Sequence, residues 1–238
     1  MKRLWTALPF LICLIAWQLL FLLNGGRVIP APSETFMALA RILSQPDAWL
    51  EIAATLSRGA GGLALGSLAG ILAGIAVGRH PHFMDAITPV VTLVQSCPPI
   101  VWISMLLVWL SVGGIVPLMV TFLSVVPVLF ITTANAVRAL DERWFDVAHI
   151  YRIPYLKQLR KIILPGIAQG LAAGFSYAFG IAWKVTATAE FFGAPNGIGA
   201  RIFNSYRNLN LPELFAWTLV IAILGITLET NVVRKLRK

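Results

Sequence analysis

The chain has 238 residues, of which 58% are hydrophobic and only 12% are charged. Because a soluble domain carries about 25% charged residues, this composition excludes an ordinary water-soluble fold and indicates a protein that lies in lipid. The net charge of +9 does not indicate a nucleic-acid surface, since the basic residues lie between and beside apolar runs, as the positive-inside rule describes.

Apolar runs recur along the whole chain. A membrane core about 30 Å thick needs roughly 20 apolar residues in a helix. Six segments are predicted to span it, and they cover residues 4–23, 55–78, 86–112, 115–137, 162–183 and 214–233. The first is long for a secretory signal and precedes no good cleavage site, so it is predicted to be a span. We expect an all-α membrane protein with a single domain over residues 1–238.

The domain is expected to have two parts. Residues 1–54 hold the first span and a short interfacial helix, capped by Ser33, with Glu34 in its first turn. The apolar stripe of that helix consists of Phe36, Leu39, Ala40 and Leu43. Residues 55–238 are expected to form a five-helix core with a cytoplasmic loop at 138–161.

The second predicted span carries a ladder of small residues. Glycines recur every four residues, at Gly62, Gly66, Gly70, Gly74 and Gly78. This spacing places them on one helix face, where another helix can approach closely. We therefore interpret the ladder as a packing surface.

The third predicted span is interrupted by the sequence QSCPP. Paired prolines free backbone groups that a neighbouring helix or a cavity must satisfy. The break either lines a cavity, which would then form part of a central path, or is only a kink. Its candidate pathway residues are Gln95, Ser96, Pro98 and Pro99.

Cysteine and histidine offer no metal or disulfide framework. Cys13 and Cys97 both lie in apolar stretches and are expected to be buried small hydrophobes. His80 and His82 have no third ligand nearby, so a metal site is not expected there.

The distribution of charge predicts the orientation. Six spans place both termini on one side of the membrane. If the N-terminus is inside, the inner segments hold most of the 19 lysines and arginines. This bias predicts that both termini and the loop at 138–161 are cytoplasmic.

The cytoplasmic loop reads as two short helices. Leu140, Trp144, Val147 or Ala148, and Tyr151 recur at helical spacing, and Pro154 should end the first helix. In the second helix, Leu156, Leu159 and Ile163 share a face that continues into the fifth span. Periodicity alone leaves two interpretations: a solvated loop, or a docking surface for a cytosolic partner.

Three further pathway candidates lie near the outer end of the fifth span. Charges within a membrane are functional candidates by default. Lys184 beside Trp183 fits either a pathway or a cation at the outer interface. Glu190 is six residues further on, so the two ionisable groups do not share a helix face. Glu190 either anchors the outer turn GAPNGIG or helps to gate the pathway.

The loop resembles the EAA loop of ABC-importer permeases, which reads Glu-Ala-Ala, three residues, Gly, nine residues, Ile-x-Leu-Pro. Residues 146–148 fall on the first three positions, and residues 162–165 fall on the closing four. Arg152 falls on the glycine that permits an unusual backbone angle, so we expect Ile153-Pro154 to supply the turn instead. The coupling residues implied are Leu140, Trp144, Asp146, Val147, Ala148, Tyr151 and Arg152.

The resemblance covers nearly the whole chain. Stretches such as VIPAPSETF, QSCPPIVWISMLLVWL and AWKVTATAEFFGAPNGIGARI are similar to the nitrate, sulfonate and taurine permeases. The resemblance implies the type I importer permease fold in a bacterial cytoplasmic (inner) membrane. It also implies a dimer with a second permease chain, expected to be identical, two ATPase subunits at the loop, and an extracytoplasmic binding protein that delivers the solute.

The chain lacks the glycine-rich phosphate loop with its Lys-Ser/Thr. We therefore expect no cofactor in this chain, no enzymatic activity, and ATP use by the partner ATPase. A sulfonate, taurine or nitrate is the first expectation for the solute. A vitamin, a vitamin precursor or an aromatic acid is the alternative. A secondary transporter is disfavoured because the chain has no clear repeat and no ionisable pair at the midplane.

Overall fold

The structure is a computed structural model that describes residues 2–25 and 28–236, and these ranges contain helices and no strand. The elements in chain order are α1 (Lys2–Asn24), α2 (Pro32–Leu43), α3 (Pro46–Gly78), α4 (Pro81–Ser96), α5 (Pro99–Leu110), α6 (Ile115–Arg138), α7 (Glu142–Ile150), α8 (Tyr155–Gln158), a π-helical turn (Leu159–Ile163), α9 (Leu164–Gly193), α10 (Ile198–Arg207) and α11 (Leu211–Leu236). The all-α prediction is confirmed.

The glycine ladder forms a close and extended helix contact. All five glycines are buried on α3, and a Cβ atom added to any of them would lie 2.7–2.9 Å from an atom of α6. Side chains as small as alanine would therefore push the two helices apart. The prediction that this face is a packing surface is confirmed, and its partner is α6.

The helix α9 packs against both members of this pair and is longer than predicted. The fifth span was expected to end at Trp183, with a polar segment after it. Instead α8, the π-helical turn and α9 form one continuous helical rod, Tyr155–Gly193, of 39 residues. The small and β-branched residues after Trp183 permit this extension, because Val185, Thr186 and Ala189 are buried inside the bundle. We call residues 155–193 the α9 rod.

The third predicted span is two helices rather than one. The chain turns by 90° between α4 and α5. Pro98 and Pro99 explain the bend, because Pro98 is the N-cap and Pro99 the first residue of α5, where a missing N–H costs nothing. The predicted break at QSCPP is confirmed, and it bends the chain between the two helices.

The interfacial helix begins earlier than predicted. Ala31 is the N-cap of α2 and Pro32 its first residue, so Ser33 does not cap it. The carboxylate of Glu34 instead accepts a hydrogen bond from the backbone N–H of Ala31 at 3.0 Å. Phe36 and Leu43 are exposed, while Ile42 is buried and belongs to a cluster with α11. The expected division at 54/55 falls inside α3, which begins at Pro46.

The described residues contain four helices that are long and apolar enough to cross a membrane, or five if the bent pair is one span. A shorter apolar helix, Leu11–Asn24, lies within α1. Six spans with both termini inside remain a prediction. The expected burial of the cysteines is wrong, because Cys13 is exposed on α1 and Cys97 is only partly buried at the bend. In a chain that lies in lipid, an apolar side chain need not be buried inside the protein.

The close packing at the glycine ladder predicts that replacing one of its glycines by alanine lowers the thermal stability of the protein. A Cβ atom at position 74 would lie 2.7 Å from the Cβ of Thr133, whereas one at position 180 would meet no atom within 4 Å. Because overpacking costs about 1–3 kcal/mol, Gly74→Ala should lower the thermal unfolding midpoint of the detergent-solubilised protein. Gly180→Ala is the matched control and should not lower it. Equal midpoints for the two variants would show that the ladder does not limit the approach of α3 and α6.

Candidate functional site

The loop between α6 and the α9 rod presents a short helix at one end of the bundle. Asp141 caps α7, and its carboxylate accepts a hydrogen bond from the backbone N–H of Arg143 at 3.0 Å. The hydrogen bonds from Arg143, the side-chain bond first, lower the pKa of the Asp141 carboxyl. The cap therefore stays ionised at neutral pH and favours the start of α7.

The helix α7 is anchored by a face that the predicted stripe only partly identified. Phe145 and Ala148 are its buried residues, and Phe145 joins a cluster with Ile75, Val137 and Ile163. The guanidinium carbon of Arg79 lies 3.7 Å from the centroid of the Phe145 ring, a cation–π contact that joins α7 to the end of α3. The loop is therefore fixed to the core of the bundle.

The predicted coupling residues fall into two groups. Leu140 is half-buried and packs over Gly166 of α9, and Ala148 is 1% exposed. These two residues face inward. The outward group is exposed, and it consists of Trp144, Asp146, Val147, Tyr151 and Arg152.

Sequence reasoning missed Ile150, which is 75% exposed at the end of α7. Leu156, predicted to share an apolar face with Leu159 and Ile163, is 77% exposed. The loop carries apolar residues on both its buried and its exposed faces, so the apolar periodicity did not distinguish the two faces. The result is an exposed surface that carries several large apolar side chains. We call residues 144, 147, 150 and 151 the α7 surface.

The turn after α7 depends on Arg152 itself. Arg152 has φ 50°, so it occupies the left-handed region that favours glycine. Its N–H donates to the carbonyl of His149 at 3.0 Å, and the N–H of Ile153 donates to the carbonyl of Ala148 at 2.8 Å. These two bonds define a Schellman motif with Arg152 at its C′ position. The expectation that Ile153-Pro154 replaces the glycine turn is wrong, because the turn is kept and Arg152 bears its strain.

The pathway candidates separate into three places. Gln95, Ser96, Pro98 and Pro99 are exposed at the bend between α4 and α5. Trp183 and Lys184 lie on a groove of about 600 Å³ between α9, α10 and α11. Its walls include Glu229 and otherwise mostly apolar residues, and the bend does not contribute to them.

Glu190 lies away from the groove surface and is fully buried. One carboxylate oxygen accepts a hydrogen bond from Arg58 at 2.8 Å. The other accepts from the Thr55 hydroxyl at 2.6 Å and from the Gly199 N–H at 3.2 Å. Of the two roles predicted for Glu190, the contact with Gly199 matches the anchoring of the outer turn.

Sequence analysis did not identify Arg58 as a site residue, because its partner Glu190 lies 132 positions away in the chain. Its sequence neighbours, Ser57 and Gly59, give no sign of a partner. The chain contains ten acidic residues, and only the packing of α3 on α9 selects one of them.

The bent helix pair, the long α3, α6 and α9 helices, and the anchored loop define a membrane permease fold. Solved structures share this fold. One titled as inward-facing conformations of the MetNI methionine ABC transporter has a TM-score of 0.68 at 18% identity, covering 82% of this chain and 98% of that one. A bacterial ABC transporter involved in the import of alginate has a TM-score of 0.72 at 13% identity, covering 99% and 96%.

Sequence comparison gives the particular family. Residues 66–236 match the binding-protein-dependent transport system inner membrane component, and the chain belongs to this family. It is 24% identical over 220 residues to the putative aliphatic sulfonates transport permease protein SsuC of Bacillus subtilis, covering 92% of this chain and 79% of that one. It is also 24% identical over 236 residues to the nitrate import permease protein NrtB of Leptolyngbya laminosa, covering 95% and 84%. The chain is thus an ABC-importer permease of the inner membrane, a transport component and not an enzyme.

The left-handed Arg152 predicts that glycine is the more stable residue here. A non-glycine residue in this region costs about 1–2 kcal/mol, which exceeds the extra ~0.5–1 kcal/mol of chain entropy that glycine loses on folding. Arg152→Gly should therefore stabilise the protein by about 0.5 kcal/mol and raise its thermal unfolding midpoint.

The control for Arg152→Gly is His149→Gly, three residues earlier on an exposed position of α7. Its backbone is helical, so glycine should destabilise it by about 1 kcal/mol. If both glycine variants were destabilised alike, the strain assigned to Arg152 would be absent.

Proposed function

We propose that this permease works as a dimer of identical chains that binds two ATPase subunits through the α7 surface. The observation that carries the proposal is the exposure of that surface on a loop whose opposite face is firmly packed. Val147 and Ile150 project from α7 on the side opposite the buried Ala148. Large apolar side chains that are exposed on a firmly packed helix are suited to bind in an apolar cleft of a partner protein.

The energy for transport is proposed to come from ATP bound by those partners, with no cofactor in this chain. Only four residues separate the end of α7 from the start of the α9 rod. A movement of the docked α7 can therefore pass to a helix that crosses the bundle. An extracytoplasmic binding protein, as the family description implies, is proposed to deliver the solute to the opposite face.

The solute is proposed to be a small anion. The comparisons favour this class, since the relatives' names include sulfonate, nitrate and bicarbonate transport, and the taurine permease TauC of Escherichia coli is 24% identical over 206 residues. Lys184 supports the proposal, because it places a cation on the wall of the α9–α11 groove. The alternative solutes, a vitamin, a vitamin precursor or an aromatic acid, have no such relative among these.

The docking proposal predicts the effect of charge on the α7 surface. Ile150→Glu and Val147→Glu should abolish recovery of the ATPase when the tagged permease is purified from its native membrane. A carboxylate cannot be desolvated in an apolar cleft without a large cost. The yield of permease itself should stay the same, because both side chains are exposed.

His149→Ala is the matched control, since this exposed residue of α7 lies outside the apolar surface. It should retain the ATPase. Ala148→Glu is unsuitable, because it would place a charge in the packed face of α7. Undiminished ATPase recovery with both Ile150→Glu and Val147→Glu would contradict docking through this surface.

The solute proposal is tested by transport in proteoliposomes that contain the permease with its ATPase and binding protein. We expect ATP-dependent uptake of at least one of an alkanesulfonate, taurine, nitrate or bicarbonate, and a several-fold decrease with Lys184→Gln. Tyr177→Phe on the same helix is the control and should transport normally. Uptake of an aromatic acid or a vitamin precursor, with none of these anions, would support the alternative.

A further inference from the structure

The polar cluster around Glu190 joins three separate parts of the chain. Arg58, on α3, donates to the Glu190 carboxylate at 2.8 Å and to the backbone carbonyl of Asn196 at 2.8 Å. It also donates to the side-chain oxygen of Asn196. One guanidinium therefore binds the end of α9 and the turn that follows it at the same time.

The backbone of the turn is bound from both helices as well. The Thr55 hydroxyl of α3 donates to Glu190 and accepts from the N–H of Ile198 at 2.8 Å. Glu190 accepts from the N–H of Gly199 at 3.2 Å. The first N–H groups of α10, which lack partners within their own helix, are thus satisfied by α3 and α9.

A second ion pair extends this cluster to the surface. Glu51, one turn before Thr55 on α3, binds Arg201 of α10 at 2.8 Å and also accepts from the N–H of Gly197. Gly197 has φ 108°, and a Cβ atom there would collide with the Glu190 carboxylate. The turn therefore fits the cluster only with glycine at this position.

We propose that Arg58 and Glu190 are positioning residues for transport, which make α3, α10 and the outer end of the α9 rod move as one body. This proposal rests on the function proposed above. The rod runs from the coupling loop at Tyr155 to Gly193, so its two ends are mechanically linked. Whether α10 follows the rod depends on how its first turn is held. Glu190 holds this turn together with Thr55 and Glu51 of α3, and Arg58 holds Glu190 and the residue Asn196 before it.

A simpler explanation is that the pair only stabilises the fold. The two explanations differ in what happens when both charges are removed together. Replacing one partner of a buried pair leaves an uncompensated charge, whereas replacing both by neutral groups of similar size is often tolerated. The double variant Arg58→Met/Glu190→Gln should therefore recover the abundance that Glu190→Gln alone loses, while the bonds to Asn196 remain absent.

The test measures the mobility of α10 and import in the same preparations. A spin label is placed at residue 204, which is exposed on α10, after Cys13 and Cys97 are replaced by serine. In the double variant we expect a mobile label, import at least tenfold lower, and ATP hydrolysis that no longer responds to the loaded binding protein. ATPase recovery should be unchanged, because the α7 surface is untouched.

Ser57→Ala is the matched control, since Ser57 neighbours Arg58 but bonds only within α3, to the carbonyl of Ala54. It should keep an immobile label and normal import. Asn196→Ala, which removes one bond without a buried charge, should give intermediate mobility and import. A double variant with an immobile label, or with wild-type import, would overturn the proposal.

The failure of the proposed function would look different. In that case the unsubstituted complex would not import, and its ATP hydrolysis would not respond to a binding protein. The mobility of the label would still report whether Arg58 and Glu190 hold α10 to α9.

Discussion

The close contact of α3 with α6 is the constraint on which the other elements depend. Between helices in lipid there is little hydrophobic driving force, so association relies on the number of atoms in contact and on hydrogen bonds. Five glycines on α3 bring its backbone against α6. The rod of α9 then packs on this pair, where the hydroxyls of Thr121 and Thr186 lie 2.7 Å apart. The loop at one end and the turn at the other are both fixed to these three helices.

Most polar side chains in the spans are satisfied locally. The hydroxyls of Ser176 and Thr188 donate to the carbonyls four residues before them, as a hydroxyl in a helix does when no other partner is near. Glu190 differs, because a buried carboxylate cannot be satisfied by its own helix. Its partners come from α3 and from the first turn of α10. The buried carboxylate therefore joins three helices, α3, α9 and α10.

The two ends of the α9 rod carry different chemistry. Near one end, the exposed side chains of Val147 and Ile150 stand on a helix fixed by Phe145. At the other end, a buried ion pair holds α10. The π-helical turn, Leu159–Ile163, lies within the α9 rod between α8 and α9, and such turns are frequent at functional sites. The α9 rod thus connects the α7 surface, which is suited to a partner protein, to the ion pair that holds α10 at the other end of the bundle.

The sequence by itself determined the helices, the glycine ladder, the proline break and the outline of the coupling loop, because these follow from local periodicity and from backbone preferences of glycine and proline. It did not determine that Ala148 faces inward and Ile150 outward, since an apolar residue on α7 suits either a core or a partner. It also did not determine that Arg152 accepts a left-handed backbone, or that Glu190 pairs with Arg58. These outcomes were decided by tertiary structure, because the contacts that fix them join residues far apart in the chain or balance strain against the packing of a whole loop.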